Sequence, residues 1–249
     1  MSPKLKVIGV IPARFESARL QGKPLALIGS KTMIEHVYTR ASRSELLSDL
    51  VVATDDERIF RAVEQFGGKA AMTSREHPSG TDRVAEVAEN SDADVVVNIQ
   101  GDEPFLSPRV LDQLVEPFHA EPAVEMTTLA RLIEDAETLE DPNVVKVVFN
   151  RRADALYFSR SVIPHPRRAE QHRAYEHIGL YGFRRDFLLA YARLEPTPLE
   201  RIEALEQLRA LENGHSIRVV VTEDHLGLSV DTPADLARAN AFLAERPGV

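Results

Sequence analysis

Three cations follow the first apolar segment of the chain, in the stretch "VIGVIPARFESARLQGKPLALIG" (7–29). Arg14, Arg19 and Lys23 lie close together there, with Gly22 directly before the lysine. Arginine offers a bidentate fork to phosphate oxygens, lysine a mobile point charge, and glycine lets the backbone approach a ligand closely. The spacing matches neither G-x-x-x-x-G-K-[ST] nor G-x-G-x-x-G, which excludes the usual ATPase and dinucleotide loops. The stretch predicts a phosphate-binding loop of another kind, with a solvated surface loop as the alternative.

Two aspartates have the chemistry of metal ligands. Asp102, in "IQGDEPF", follows the apolar run 95–99, and Asp231, in "LSVDTP", precedes a predicted helix. Both aspartates are predicted to follow apolar strands. We expect both at the carboxyl edge of a sheet, where open α/β folds bind ligands. Carboxylates together with substrate phosphates are the usual ligands of Mg²⁺. Taken alone, Asp102 also suits a turn and Asp231 a helix N-terminus.

Composition narrows the class of protein. The chain has 249 residues, 43% hydrophobic content, no cysteine and a net charge of −9, so it can bury a core and forms no disulfide or thiolate site. The negative charge argues against a nucleic-acid surface. Residues 1–40 have the opposite sign of charge, because they contain seven basic and two acidic residues: Lys4, Lys6, Arg14, Arg19, Lys23, Lys31 and Arg40, with Glu16 and Glu35. This local positive charge favours a small polyanion as ligand.

Targeting signals are not evident in the sequence. The start "MSPKLK" lacks the apolar core of a signal peptide, and no apolar run approaches the roughly 20 residues that span a bilayer. We therefore expect a soluble, cytoplasmic protein without membrane insertion.

The elements that must position these residues alternate along the chain. Apolar runs rich in Val and Ile alternate with segments of helical period, which predicts βαβ units and an α/β fold with a parallel sheet. Three helix starts are indicated by a hydroxyl residue before proline, at Ser107, Thr197 and Thr232. The segment at about 140–185 contains "VVKVVFN", "ALYFSRSVIP" and "IGLYGF", which predicts an inserted, partly antiparallel subregion. No linker or repeat divides the chain, so residues 1–249 are predicted to form a single domain.

The chain resembles the 3-deoxy-manno-octulosonate (Kdo) cytidylyltransferases. "IPARFESARLQGKPL" is similar to their N-terminal signature, and matching blocks follow in the family's order: "VVATDDERI", "HPSGTDRVAEV", "VVNIQGDEPF", "NVVKVV", "ALYFSRSVIP", "HIGLYGF", "PLERIEALEQLR" and "VDTPADL". The resemblance implies a Rossmann-like, mostly parallel sheet with helices on both faces and an inserted dimerisation subregion. It also implies transfer of CMP from CTP to Kdo with release of pyrophosphate, for lipopolysaccharide synthesis.

The resemblance also implies roles for the residues that match the family's nucleotide blocks. Arg14 and Lys23, with Arg19, would hold the triphosphate, and Asp102 and Asp231 would bind Mg²⁺. Selection of the base would fall to Ser79, Gly80 and Arg83 in the loop "HPSGTDR" and to Gln100 in "IQGDEPF". Arg83 could instead complete a charge pattern, and His77 is interpreted as structural.

The positions that match the family's sugar pocket lie in the second half of the chain: Arg160, His177, Tyr181, Glu206 and Gln207. A helix from Pro198 is predicted to bury a stripe of Ile202, Leu205, Leu208 and Leu211 and to leave Glu203, Glu206 and Gln207 on another face. A solvated helix face is the alternative for these polar residues, and a packed strand aromatic is the alternative for Tyr181.

Departures from the family pattern occur at Gln21, where proline is usual, at Phe15, where tyrosine is common, and in "GLSVDTP", which replaces a glycine-rich approach to Asp231. Two other functions stay open: a cytidylyltransferase for 8-amino-Kdo or another nonulosonic acid, and a catalytically silent sugar-nucleotide-binding protein. The resemblance further implies a homodimer, for which the middle segment offers Leu156, Phe158 and Val162.

Overall fold

The computed structural model describes residues 5–17, 19–168, 172–225 and 227–246, so Lys4 of the basic N-terminal segment lies outside the described residues. The chain divides into two compact units, Met1–Asp112 with Asp224–Val249 (unit 1) and Gln113–Glu223 (unit 2). Unit 2 contains the segment 140–185. The prediction of a single domain stays a prediction.

Strands and helices alternate over most of the chain. The strands are β1 Val7–Ala13, β2 Leu27–Ile28, β3 Lys31–Thr32, β4 Asp49–Thr54, β5 Ala70–Met72, β6 Val95–Asn98, β7 Met126–Leu132, β8 Lys146–Phe149, β9 Ala155–Ser159, β10 Tyr175–Arg184 and β11 Ile217–Val221. The α-helices are α1 Met33–Ala41, α2 Glu57–Gln65, α3 Gly80–Glu89, α4 Pro108–Ala120, α5 Ala136–Glu140, α6 Arg185–Tyr191, α7 Pro198–Glu203, α8 Leu208–Glu212 and α9 Pro233–Glu245. A short 3₁₀ helix spans Lys23–Leu25.

Unit 1 is built on four parallel strands in the order β6-β1-β4-β5. The central strand β1 is buried at Val7, Val10 and Ile11, as expected for a strand covered on both faces. Helices α1, α2 and α3 each bury an apolar side. The carboxyl ends of β1, β4 and β6 consequently share one edge, and the chain leaves that edge toward Arg14, Asp55 and Asp102. The predicted α/β class is confirmed.

Unit 2 combines antiparallel and parallel pairing. Strand β7 pairs antiparallel with β10 and parallel with β11, and β8 pairs antiparallel with both β9 and β10. The register of β10 shifts between Ile178 and Tyr181, which is the signature of a β-bulge. The predicted partly antiparallel subregion is confirmed, whereas its role in dimerisation stays a prediction. Phe158 is fully buried and cannot supply dimer surface, while Leu156 is 61% exposed.

The predicted helix starts are confirmed at Pro108, Pro198 and Pro233, but the single helix predicted from Pro198 is wrong. Ala204 adopts a left-handed conformation with φ 52° and ends α7, and α8 begins only at Leu208. This break changes the helical phase, so Ile202 is 77% exposed although Leu205 and Leu208 are buried. Within the described residues, no helix is both long enough and apolar enough to cross a membrane.

Candidate active site

An ammonium group joins the two predicted metal-binding aspartates. Lys23 Nζ donates hydrogen bonds to Asp102 Oδ2 at 2.8 Å and to Asp231 Oδ1 at 3.0 Å. The three side chains are 18%, 24% and 34% exposed, in that order, so the cluster borders solvent without being fully open to it. Burial disfavours the charged lysine, but the two carboxylates outweigh this effect and raise the pKa of Lys23. Residues far apart in the sequence thus form one ionic cluster in unit 1.

Asp231 reaches the cluster by a route that differs from the prediction. It does not follow a strand, because residues 227–231 are irregular. The backbone N–H of Val230 donates instead to the carbonyl of Asp102 at 2.9 Å, which ties the two aspartate segments together. Beyond it, Thr232 and Asp235 form a capping box at the start of α9, and Asp235 Oδ2 also accepts from the backbone of Asp231 at 3.1 Å. A backbone contact and a helix cap therefore position this carboxylate.

The cationic loop after β1 is folded back on itself. The N–H of Gly22 donates to the carbonyl of Phe15 at 3.0 Å, and Gly22 has a φ of 67°, which a glycine adopts without strain. The guanidinium of Arg58 lies 3.3 Å from the centre of the Phe15 ring, and Asp56 holds that guanidinium through two hydrogen bonds of 2.9 and 2.6 Å. The same pairing lowers the pKa of Asp56 to about 2. The sequence analysis did not predict this support for the loop, because Arg58 lies in α2 and no sequence motif marks it as a partner of Phe15.

The remaining cations of the loop have different partners. Arg19 NH2 lies 3.1 Å from Asp231 Oδ2, with a side chain that is 65% exposed. Arg14 donates to the backbone carbonyls of His77 and Ser79, the latter at 3.0 Å, and so joins the β1 loop to the predicted base-binding loop. The structure brings Arg19 and Lys23 to the aspartates, whereas the described contacts of Arg14 are with the base loop.

The predicted base-binding loop is closed by a helix cap. Ser79 Oγ accepts from the backbone of Asp82 at 3.2 Å and donates to its carboxylate at 2.7 Å, so the hydroxyl is engaged in a capping box. Gly80 begins α3, and a Cβ there would meet Pro12 at 3.4 Å. Gln100 lies between β6 and the turn of Asp102 and is partly buried. The capping box also engages the backbone of Ser79, whose N–H donates to Asp82 Oδ2 at 3.1 Å.

The structure does not fit the role in base binding that was predicted for Arg83. Its side chain is completely buried, and its guanidinium pairs with Asp55 at 2.9 Å and contacts the hydroxyl of Thr73. A side chain without exposed surface offers nothing to a nucleotide in this conformation. The structure assigns Arg83 to supporting the chain after β4, which is the charge-pattern alternative of the sequence analysis. His77 pairs with Glu86, in keeping with a structural role.

Two of the predicted sugar residues, Tyr181 and Gln207, lie next to a third, His177. His177 Nε2 lies 2.9 Å from Thr128 Oγ1, and Gln207 Nε2 lies 3.5 Å from His177 Nδ1. The rings of Phe158 and Tyr181 are 4.8 and 5.5 Å from the imidazole, and the burial they help to create lowers the pKa of His177 to about 3. Burial also raises the pKa of Tyr181. At neutral pH, His177 and the side chains described next to it carry no charge.

The tautomer of His177 follows from its neighbour. Thr128 Oγ1 lies 2.9 Å from the carbonyl of Leu180 and 3.2 Å from that of Ile178, at the bulge in β10. Because a hydroxyl has one proton and a carbonyl can only accept, Thr128 donates to the bulge and accepts from His177 Nε2. The proton therefore lies on Nε2, and Nδ1 presents a lone pair toward Gln207.

Arg160 is held in place by backbone carbonyls. Its Nε donates to the carbonyl of Glu203 at 2.9 Å and its NH1 to that of Pro142 at 3.0 Å. The Glu203 carboxylate accepts from the Arg160 N–H at 3.0 Å and from Ser159 Oγ at 2.6 Å. The fully buried Lys146 donates to three carbonyls, including that of Arg160 at 2.9 Å. Lys146 is a positioning residue that the "NVVKVV" block contains and that sequence reasoning left without a role.

The last two predicted sugar residues, Glu206 and Gln207, lie within the break between α7 and α8. Gln207 is almost fully buried, at 3% exposure, which excludes the solvated-face alternative for this residue. The backbone carbonyl of Glu206 accepts from the hydroxyl of Tyr191 at 2.7 Å. The break in the predicted helix is thus what turns Gln207 inward toward His177.

A groove of about 1250 Å³ lies elsewhere in unit 1. Its lining includes the starts of β1, β4 and β5, at the amino edge of the sheet, and none of the residues predicted for the site lines it. Its exposed charges are partly paired with one another, as in Lys6 with Asp92 and Lys69 with Asp49. Open α/β sheets bind ligands at the opposite, carboxyl edge. The ionic cluster around Lys23 is therefore the stronger candidate site.

The cluster fits a magnesium ion that is completed by a substrate. Within the described part of the chain, no three His, Cys, Asp or Glu side chains group together as a metal site. The carboxylates of Asp102 and Asp231 nevertheless both contact one cation, the ammonium of Lys23. They are therefore close enough to bind a single metal ion. Mg²⁺ commonly uses one or two carboxylates and takes its other ligands from phosphates and water. The residues present fit such an ion.

The comparisons with known proteins agree with this fold. The cytidylyltransferase family model matches residues 8–217, which places the chain among the cytidylyltransferases. A 3-deoxy-manno-octulosonate cytidylyltransferase of Solibacter usitatus is 53% identical over 236 residues, covering 94% of this chain and 93% of that relative. One from Geobacter metallireducens is 49% identical over 243 residues, covering 93% of this chain and 95% of the relative.

A solved structure gives the same result in three dimensions. CMP:2-keto-3-deoxy-manno-octonic acid synthetase, in a structure described as complexed with CTP, has a TM-score of 0.93 and 47% sequence identity, with 96% of this chain and 99% of the other covered. This chain belongs to the 3-deoxy-manno-octulosonate cytidylyltransferase family. The resemblance seen in the sequence is confirmed.

Proposed function

We propose that the protein transfers CMP from CTP to the anomeric hydroxyl of Kdo and releases pyrophosphate, activating the sugar acid for lipopolysaccharide synthesis. Family membership over nearly the whole chain is the observation that carries this proposal. The hydroxyl loses its proton to water and its oxygen forms a bond to the α-phosphorus. The bond from that phosphorus to the bridging oxygen breaks, and pyrophosphate leaves. Such a transfer depends on positioning and charge neutralisation rather than on a covalent intermediate.

Unit 1 is proposed to handle the charge of CTP. Arg14, Arg19 and Lys23 would neutralise the triphosphate and the charge that develops on the leaving pyrophosphate. Asp102 and Asp231 would hold Mg²⁺, which when bound supplies charge neutralisation at the phosphates. The proximity of both carboxylates to one cation supports this assignment.

Base selection is proposed for the loop at Ser79 and Gly80, together with Gln100. Arg14 fixes this loop through two of its carbonyls. Backbone donors and acceptors on a fixed loop can select cytosine, because a wrong base leaves buried polar groups unpaired.

Unit 2 is proposed to recognise the sugar acid. Kdo combines one carboxylate with several hydroxyls, which calls for one cation and several neutral polar groups. Arg160 is the cation, and His177, Tyr181 and Gln207, with Glu206 beside them, are the polar set. The uncharged state of His177 supports a role in hydrogen bonding to hydroxyls rather than in ion pairing.

The test is a panel of sugar acids offered with CTP and Mg²⁺, with release of pyrophosphate as the signal. We expect release with Kdo and much less with 8-amino-Kdo or a sialic acid. A stronger signal with another acid would identify a different acceptor. Binding of CTP without turnover on any acid would instead support the silent binding protein.

Two further properties belong to this proposal. A homodimer is proposed from the exposed apolar side chains of unit 2, notably Leu156 at 61% and Val221 at 47% exposure. Light scattering at micromolar concentration should give twice the chain mass, and a monomer would contradict the proposal. The proposed location is the cytoplasm, where CTP is available.

A further inference from the structure

One cation holds together two carboxylates that are assigned to a metal. Lys23 Nζ is within 3.0 Å of an oxygen of both Asp102 and Asp231, so these oxygens are no further apart than two hydrogen bonds laid end to end. Two carboxylates this close repel each other unless a cation or a proton lies between them. In the free protein the lysine fulfils this requirement.

Lys23 and a metal ion compete for the same oxygens. An Mg²⁺ that coordinates a carboxylate oxygen lies roughly 2.0 to 2.1 Å from it. An ion shared by the two oxygens that Lys23 contacts would lie in the space where the ammonium is. Two cations cannot occupy that space, because of both steric overlap and charge repulsion. The metal can be held by both aspartates only after the ammonium has moved.

A triphosphate provides the second position for the ammonium. Lys23 follows Gly22, whose left-handed backbone opens the short 3₁₀ helix, and its flexible side chain reaches the aspartates from this loop. A phosphate oxygen is an equally good acceptor for the ammonium. Arg19 contacts Asp231 on another oxygen and is mostly exposed, so it does not block the shared position.

We propose that Lys23 is the resident cation of the Asp102–Asp231 pair in the nucleotide-free protein, and that it excludes the divalent metal from this pair until a nucleotide triphosphate draws the ammonium away. The inference rests on the proposed function for the metal role of the two aspartates. Its consequence is an order of binding, in which the nucleotide precedes the metal ion held by Asp102 and Asp231.

The test measures binding of Mn²⁺ to the nucleotide-free protein by electron paramagnetic resonance, with Mn²⁺ as the probe in place of Mg²⁺. Lys23→Met removes the ammonium and keeps a long side chain, so we expect Mn²⁺ to bind at least tenfold more tightly than to the unmodified chain. Lys23→Arg keeps a cation and should bind Mn²⁺ as weakly as the unmodified chain. Adding Asp231→Asn to Lys23→Met should abolish the gain.

The matched control is Lys31→Met, which removes a partly exposed lysine that pairs with Glu35 outside the site. It makes the same change in net charge, so a gain of equal size in both variants would overturn the proposal. Lys23→Gln is a second neutral variant in case Lys23→Met does not fold, and circular dichroism reports folding in each case.

Thermal unfolding gives a second, independent signal. In the presence of a chelator, Lys23→Met should unfold at a lower temperature than Lys31→Met, because its two carboxylates repel each other. Added Mn²⁺ should restore most of that difference, and a lack of selective recovery would contradict the proposal. Neither measurement uses CTP or a sugar acid, so its outcome is separate from that of the acceptor panel.

Discussion

The two units differ in the electrostatics of the side chains that are proposed to bind ligands. In unit 1, Lys23, Asp102 and Asp231 carry full charges and face one another at the border of solvent. In unit 2, His177 and its partners are neutral, and the imidazole is kept neutral by its packing. A polyanion and its metal need mobile charges that can exchange partners. Hydroxyl groups need fixed donors and acceptors.

The same contrast appears in how the side chains are held. Lys23 reaches its partners from a loop, and that loop is supported by the exposed stack of Arg58 on Phe15. His177 is set by a strand bulge, a threonine and the nearly buried Gln207. Changes in unit 1 should therefore alter charge-dependent steps, and changes in unit 2 should alter discrimination among sugar acids.

The largest effect is expected from the charged cluster. Asp102→Asn or Asp231→Asn should lower kcat by about 10² to 10⁴, because a neutral amide is a much poorer magnesium ligand than a carboxylate. The double variant should lose little more than either single variant, since both losses disable one shared ion. Turnover measured against Mg²⁺ concentration gives these values.

The control for this pair is Asp186→Asn, because the side chain of Asp186 is 97% exposed and lies in unit 2. It should leave turnover unchanged. Near-normal activity of either active-site variant would remove the shared-metal assignment and with it the contrast between the two units.

The next effect concerns the neutral network. Gln207→Leu keeps the volume approximately but removes the group that faces His177 Nδ1. We expect the KM for Kdo to rise about tenfold, in line with the roughly 1 to 3 kcal/mol cost of leaving a buried polar group unpaired, while the KM for CTP changes little. Steady-state kinetics with each substrate varied in turn would show this difference, and an equal rise for CTP would count against separate roles.

A smaller effect is expected from the support of the cationic loop. Arg58→Ala removes the cation over Phe15, an interaction worth roughly 0.5 to 1 kcal/mol at an exposed site. The KM for CTP should rise about two- to fivefold and the KM for Kdo should not change, the reverse of Gln207→Leu. Arg61→Ala is the matched control, because Arg61 lies on the same helix and pairs only with the exposed Glu57 among the contacts described. If Arg61→Ala had the same effect, the stack on Phe15 would have no particular role.

The smallest expected response is that the His177 imidazole does not titrate between pH 8 and pH 5. With a folded-state pKa of about 3 and an ordinary value of 6.5, His177 should stay neutral from pH 8 down to pH 5. Nitrogen chemical shifts of the imidazole should remain those of the Nε2-protonated tautomer over this range. A titration midpoint of His177 near pH 6.5 would contradict the assignment of a neutral imidazole.

The sign of the linked effect on stability follows from the same pKa. Below about pH 6.5 the unfolded chain binds a proton at His177 that the folded chain does not. The contribution of His177 to the free energy of unfolding should therefore fall as the pH drops from 6.5 toward 3 and be constant above that window. A His177→Gln variant should lack this contribution in denaturant titrations.

Local patterns determined much of this protein. The alternation of apolar runs with helical segments predicted the α/β fold, the three proline-initiated helices and the antiparallel pieces of unit 2. The ordered motif blocks predicted the family, and the residue pattern predicted that Asp102 and Asp231 would lie at one edge of the sheet. These features depend on periodicity, capping and residue type, all of which are properties of short stretches of chain.

Tertiary structure decided the rest. The sequence placed Asp231 after a strand and Ile202 on a buried stripe, and it left Arg83 open between a nucleotide base and a charge pattern. Instead a backbone contact with Asp102 positions Asp231, a left-handed Ala204 turns Ile202 outward and Gln207 inward, and Asp55 takes the guanidinium of Arg83. Each outcome depends on a partner distant in sequence or on one backbone angle. Periodicity carries no information about either, because it describes only which face of a regular element a residue occupies.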